Sequence, residues 1–153
     1  MPRKISPLKV LVVDDDPVDR QLIAEAFTDS QIAVDLSFAA NGQHALKRLT
    51  EQENGKLIYR PSLCIFDINM PGVSGIELLE KVKAHSELRK IPVIMLSSSD
   101  DKRDIAKCYD LQASGYVRKP DNYHDLLALV RGITDYWSNT LSLPDRVQTI
   151  GAI

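Results

Sequence analysis

Three consecutive aspartates, Asp14, Asp15 and Asp16, close the apolar run Val10-Leu11-Val12-Val13, and a lone Asp67 closes a second run, Leu63-Cys64-Ile65-Phe66. Two more polar groups stand at the ends of such runs: Ser97 after Pro92-Val93-Ile94-Met95-Leu96, and Lys119 after Gly115-Tyr116-Val117-Arg118. Two unit charges ~4 Å apart repel by on the order of 4 kcal/mol at a protein-surface dielectric. Asp15 and Asp67 therefore converge only if something positive sits between them. An all-oxygen set with room for waters suits Mg²⁺, whereas zinc would call for Cys or His. A hydroxyl, an ammonium and a metal-bound carboxylate together can hold three oxygens of a phosphoryl group on Asp67. Taken singly, each residue has a plainer reading. The aspartate triplet is then a turn and a helix cap, Ser97 another cap, and Lys119 a surface charge.

The elements that must position these groups are legible as alternating strands and helices. Short apolar runs rich in β-branched residues read as buried strands, so the polar groups lie at strand carboxyl ends, where open α/β sheets bind ligands. Asp16 can cap a helix with Pro17 at its first position and Val18, Leu22, Ile23 and Ala26 at helical spacing. Residues 33–38 alternate as a second strand, and Asn41-Gly42 opens a helix bearing Ala45, Leu46 and Leu49. Residues 52–61 form a longer connection to strand three over 63–66, and Ser74 to Glu77 has capping-box spacing for helix three. Strand four is expected over 91–96, helix four over 102–110, strand five over 114–117 and helix five over 123–139. That last helix would be ~25 Å long. Five βα units in a row predict a doubly wound α/β fold, a parallel sheet covered by helices on both faces.

Composition narrows the function classes. At 153 residues the chain suits one domain, with 44% hydrophobic and 26% charged residues. Nineteen basic and 21 acidic side chains give a net charge of −2. The basic residues are scattered, so no nucleic-acid partner is expected. The N-terminal residues lack the apolar stretch of a signal peptide, and neither a leader nor a membrane span is expected. Cys64 and Cys108 show neither metal-ligand nor disulfide spacing, which fits a reducing cytoplasm.

The segments VLVVDDDP, CIFDINMPGVSG, PVIMLSSS and GYVRKP, in that order, resemble the four signature segments of two-component response-regulator receiver domains. Asp67 and Ser97 stand 30 residues apart, and Ser97 and Lys119 stand 22 apart, as in that family. The resemblance covers residues 9–139, leaving an N-terminal lead-in over 1–8 and a tail over 140–153 in which no output domain is expected. It implies the CheY-like, flavodoxin-like (βα)5 fold with strand order 2-1-3-4-5. It also implies that Asp67 is the phosphoacceptor, with Asp15, Asp67 and the Asn69 backbone carbonyl as Mg²⁺ ligands and Asp14 acting through water. Lys119 would contact the phosphoryl group, Ser97 and Tyr116 would form the switch, and Asn69 and Ser99 would tune hydrolysis of the acyl phosphate. The family further implies a cis bond at Lys119-Pro120.

The implied partners are a sensor histidine kinase, as both partner and phosphodonor, and a downstream protein target or phosphotransfer protein. Such a protein is a phosphoacceptor that assists its own chemistry rather than a conventional enzyme. The stretch 136–144 and the connection around Tyr59-Arg60-Pro61 resemble single-domain regulators paired with bacterial phytochrome kinases. That narrower resemblance implies a homodimer through helix four, strand five and helix five. Two other readings compete. Asp14-Asp15-Asp16-Pro17-Val18 also fits the DxDx(T/V) pattern of haloacid-dehalogenase-type phosphatases, but no acidic pair follows Lys119 and Asp67 would be unexplained. The other is an unphosphorylated scaffold, which would not need the acceptor and metal carboxylates that are all present here.

Overall fold

Runs buried on both faces must be sandwiched between helices, and the computed structural model places them so. It describes residues 3–5, 7–140 and 147–149. Five parallel strands form the sheet: β1 (Leu8–Val13), β2 (Val34–Ala39), β3 (Leu63–Asp67), β4 (Val93–Ser97) and β5 (Gly115–Arg118). Their order is β2-β1-β3-β4-β5, the flavodoxin-like arrangement that the family resemblance implies. The helices are α1 (Pro17–Asp29), α2 (Gly42–Thr50), α3 (Gly75–Ala84), α4 (Lys102–Asp110) and α5 (Tyr123–Asp135). Residues 3–5 and 147–149 pair as a separate antiparallel ladder.

Side-chain alternation divides the core in two. Leu11, Val13, Cys64, Phe66, Val93 and Met95 face α2, α3 and α4, where Leu49, Leu78, Leu79, Val82 and Cys108 are buried against them. Leu8, Val10, Val12, Ile65, Ile94 and Leu96 face α1 and α5, meeting Ile23, Ala26, Phe27, Leu126 and Val130. Each such large apolar side chain contributes roughly 1.5–3 kcal/mol on burial. Each of these five α-helices starts at a side-chain cap. Asp16, Asn41, Ser74, Asp101 and Asn122 accept from the amides of Val18, His44, Glu77, Arg103 and Asp125, each cap contributing about 1 kcal/mol.

The parallel register brings the chemistry together. Val13 pairs with Phe66, so Asp14 and Asp67 occupy the next rung of β1 and β3. Asp67 pairs with Leu96 and Ser97 with Arg118, which sets Ser97 and Lys119 along the same carboxyl edge.

The expected boundaries shift where local chemistry was overlooked. Strand four begins at Val93 rather than residue 91, because Pro92 has no amide to give the ladder. The α-helical ladder of α5 stops at Asp135, and Tyr136–Thr140 continue as a π-helical turn. The connection over 52–61 contains a small hairpin, Gln52–Glu53 against Lys56–Leu57. Asn54 and Gly55 form its turn at φ 54° and 78°, both in the left-handed region that a type I′ turn requires. On α1 the buried stripe is Ile23, Ala26 and Phe27, while Val18 is 63% and Leu22 37% exposed. The helical spacing assigned to those two residues points one flank of the helix away from the sheet. No helix among the described residues is long and apolar enough to cross a membrane.

One glycine links the fold to the site. The Gly75 amide donates to the Ile68 carbonyl (3.0 Å) as α3 comes off the β3 loop. A Cβ on Gly75 would lie 2.2 Å from the Asp67 carbonyl oxygen and 2.8 Å from the Ile68 Cα, both backbone atoms with little freedom to yield. Gly75→Ala is therefore expected to lose about 1–3 kcal/mol through overpacking. A urea midpoint equal to that of the unsubstituted protein, at the same m-value, would refute the close approach.

Candidate functional site

Asp14 follows the last residue of β1 with its amide bonded to the Ala39 carbonyl (3.2 Å), so its side chain is fixed from the backbone outward. One carboxylate oxygen accepts from the Asp16 amide (2.9 Å) and the other from Lys119 Nζ (3.0 Å). Asp14 is buried, Asp67 is buried at the end of β3, and Asp15 between them is exposed. One carboxylate oxygen from each of the three lies within 4.8 Å of those of the other two. The sequence placed these residues together, and the structure does the same. Asp16 takes no part in the cluster: it caps α1 through the Val18 amide (2.9 Å). That leaves a dehalogenase-type pair of Asp14 and Asp16 without its second member.

Lys119 reaches across from β5. Its ammonium is 2.7 Å from Asp19, 3.0 Å from Asp14 and 3.7 Å from Asp67. The Lys119 amide donates to the Ser97 carbonyl (2.7 Å), locking the β5 end to the β4 end. The Lys119-Pro120 bond is trans, as are all peptide bonds among the described residues, so the cis bond implied by the resemblance is not found. For an X-Pro amide the trans form is the one favoured, by ~0.5–1 kcal/mol.

Asp19 was missed in the sequence, where it reads as an acidic residue in the first turn of α1. The signal was present in the helical phase. Asp19 precedes Ile23 by four positions and so heads the stripe that faces the sheet, ending against the site rather than in solvent.

The switch candidates lie one layer further out. Ser97 is fully buried, and its Oγ accepts from the Ser99 amide (3.1 Å). Ser99 Oγ accepts in turn from the amide of Asp101 (3.1 Å), the cap of α4. Tyr116 is half-buried against the α3 and α4 side of the core, and its hydroxyl donates to the Ser99 carbonyl (2.8 Å). Ser97, Ser99 and Tyr116 thus form one connected loop above β4 and β5. Asn69, on the β3–α3 loop, is exposed, and its amide faces the Asp67 carboxylate.

Electrostatics show what the cluster lacks. Burial pushes the Asp67 carboxyl up to about 6, against the pull of Lys119. Burial likewise raises Asp14, with the Asp16 amide and Lys119 opposing. Burial alone would lower Lys119, but its bonds to Asp19 and Asp14 overcome that and hold the ammonium charged well above the usual lysine range. Asp14, Asp19 and Asp67 thus share one ammonium, and the Asp15 carboxylate joins those of Asp14 and Asp67. The donor set fits a divalent cation: the ligands are hard oxygens, and the exposed side at Asp15 leaves room for waters. Cys64 and Cys108 are both buried in the core away from the cluster and contribute nothing soft.

A doubly wound sheet with its acidic cluster at the β1/β3 switch point defines a ligand-binding α/β domain. Comparison with known proteins is specific. The model of the response regulator receiver domain matches residues 10–131, and the chain belongs to that family. Response regulator Rcp1 of Synechocystis sp. is 33% identical over 138 residues, 90% of this chain and 94% of that protein. The crystal structure of the phosphorylated cyanobacterial phytochrome response regulator RcpA superposes with a TM-score of 0.83 at 32% identity, covering 91% of this chain and 99% of that one. The Mn²⁺-bound form of Rcp1 superposes with a TM-score of 0.80 at 33% identity, covering 90% and 99%.

The raised Asp67 carboxyl has a stability consequence. Below about pH 4 it is protonated in both the folded and the unfolded chain, so it contributes no penalty there. Between about 4 and 6 the unfolded chain ionises first, and folding loses stability as pH rises. At neutral pH without metal the buried charge then opposes folding by on the order of 3 kcal/mol. Asp67→Asn should stabilise the metal-free protein at neutral pH, with the gain fading toward pH 4. Denaturant midpoints of both proteins in chelator across that range check it, and a gain independent of pH would contradict the assignment.

Proposed function

We propose that the protein is a single-domain response regulator that accepts a phosphoryl group from a sensor histidine kinase onto Asp67 with Mg²⁺ and signals through protein contacts. The observation that carries this reading is the Asp67 carboxylate, buried beside Asp14 and Asp15 and 3.7 Å from the Lys119 ammonium. Asp15, Asp67 and the Asn69 backbone carbonyl would hold the Mg²⁺, with Asp14 acting through water. When bound, the metal offsets the charge on the transferring phosphoryl oxygens. Phosphoryl transfer needs positioning and charge stabilisation more than covalent machinery. Here Asp67 supplies the attacking oxygen and Lys119 a charged donor for a phosphoryl oxygen.

Ser97 and Tyr116 are proposed as the switch, and the loop joining them gives it a route. If Ser97 Oγ turns to the phosphoryl group it abandons the Ser99 amide, and Tyr116, tied to the Ser99 carbonyl, follows. Asp101 is bonded to Ser99, so the start of α4 moves with it. A receiver over 9–139 with this output face suits a downstream protein target or a phosphotransfer protein in the cytoplasm. RcpA is a phytochrome response regulator, which supports a phytochrome as the cognate kinase here. A homodimer through α4, β5 and α5 is compatible with the apolar trough of Leu129, Ile133, Tyr136 and Trp137 along α5.

Incubation with Mg²⁺ and acetyl phosphate should shift the protein on a phosphate-affinity gel and leave Asp67→Asn unshifted. An unshifted wild type would count against the receiver reading, and a shift surviving Asp67→Asn would move the acceptor elsewhere. Neither Asn69 nor Ser99 is acidic, so neither supplies a general base for water. The phosphorylated protein should hold its label well beyond seconds without a phosphatase, and loss within seconds would contradict their assigned role.

A further inference from the structure

The Lys119 ammonium has three N–H bonds, and Asp19 and Asp14 accept at 2.7 and 3.0 Å. The remaining direction faces Asp67, at 3.7 Å, outside the roughly 2.7–3.2 Å of a hydrogen bond. A phosphoryl group carried on Asp67 extends outward from that carboxylate and closes the gap without any movement of the lysine. We propose that Asp19 is a positioning residue for phosphoryl transfer: with Asp14 it holds the Lys119 ammonium off the Asp67 carboxylate, where it meets a phosphoryl oxygen rather than the bare acceptor. This rests on the reading of Asp67 as phosphoacceptor.

Two features of α1 make Asp19 suited to the task. The helix is anchored beneath it by Ile23, Ala26 and Phe27 and above it by the Asp16 cap, so the carboxylate projects from a fixed turn. The Asp19 and Lys119 side chains are 32% and 18% exposed, sheltered enough to hold one geometry. Without the Asp19 charge, the nearest free carboxylate for the released N–H is Asp67. The lysine would then pair with the oxygen that must attack phosphorus, and transfer would have to break that pair first. A merely electrostatic role has the opposite sign. Deleting a negative charge beside the site would favour an anionic donor and speed labelling.

The test uses the full chain with Mg²⁺ and acetyl phosphate, comparing initial labelling rates of wild type, Asp19→Asn, Lys119→Gln and the double variant. Asp19→Asn should slow labelling about tenfold, within the ~10²-fold that a misplacement of 1 Å can cause. It should add nothing further in the Lys119→Gln background. Labelling at the wild-type rate or faster, or the same slowing without Lys119, overturns the proposal. A second readout needs neither metal nor phosphodonor. In the metal-free protein the carbon-13 resonance of the Asp67 carboxylate should move in Asp19→Asn as Lys119 closes on it, and an unmoved resonance overturns the proposal independently. A wild type that does not label at all removes the acceptor reading itself, and the resonance then decides the lysine's position alone.

Discussion

Four carboxylates gathered at one sheet edge repel each other, and the one ammonium among them is the interaction on which the site depends. Lys119 bonds Asp14 and Asp19 and stands near Asp67, so a single side chain joins β1, α1, β3 and β5 at their common end. The parallel register makes this arrangement unavoidable: aligned strands deliver their last residues to one line. The core beneath is apolar on both faces of the sheet, so the edge is held in place by packing that owes nothing to the charges. Folding thereby imposes an electrostatic deficit that a divalent cation suits.

Around this edge, polar contacts pass outward in a definite order. The Ser97 hydroxyl holds the Ser99 amide, Ser99 holds the start of α4 through Asp101, and Tyr116 closes the loop on the Ser99 carbonyl. Every bond in this chain is between a hydroxyl and a backbone group, so one rotation at Ser97 leaves a donor unsatisfied and must be answered by its neighbour. The packed core cannot respond in the same way, which confines the response to the loops above β4 and β5.

Strand interiors and helix starts were legible in the sequence because they follow from short-range rules: β-branched runs for β1, β3 and β4, and Asp16 and Ser74 as caps. Asp14, Asp15, Asp67, Ser97 and Lys119 were legible as candidates because each ends such a run. Three things were not. Asp19 belongs to the site through helical phase, a signal overlooked, and through a partner 100 residues away, which no local pattern records. The hairpin at Asn54-Gly55 was hidden because its strands are two residues each, too short to show alternation. Val18 and Leu22 were assigned to the buried face of α1 on spacing alone, whereas the sheet selects Ile23, Ala26 and Phe27. The trans bond before Pro120 departs from what the family resemblance implied.

The ion pair between Lys119 and Asp14 joins residues separated by 105 positions, and β5 is the last strand of the sheet to be synthesised. A nascent chain emerging from the ribosome therefore builds the acidic rim before its counter-charge exists. Contacts of such long range form late, since loop closure must precede them. The rim resists closing until the fifth strand arrives, so a chain cut short of Lys119 lacks the counter-charge that lets its carboxylates converge.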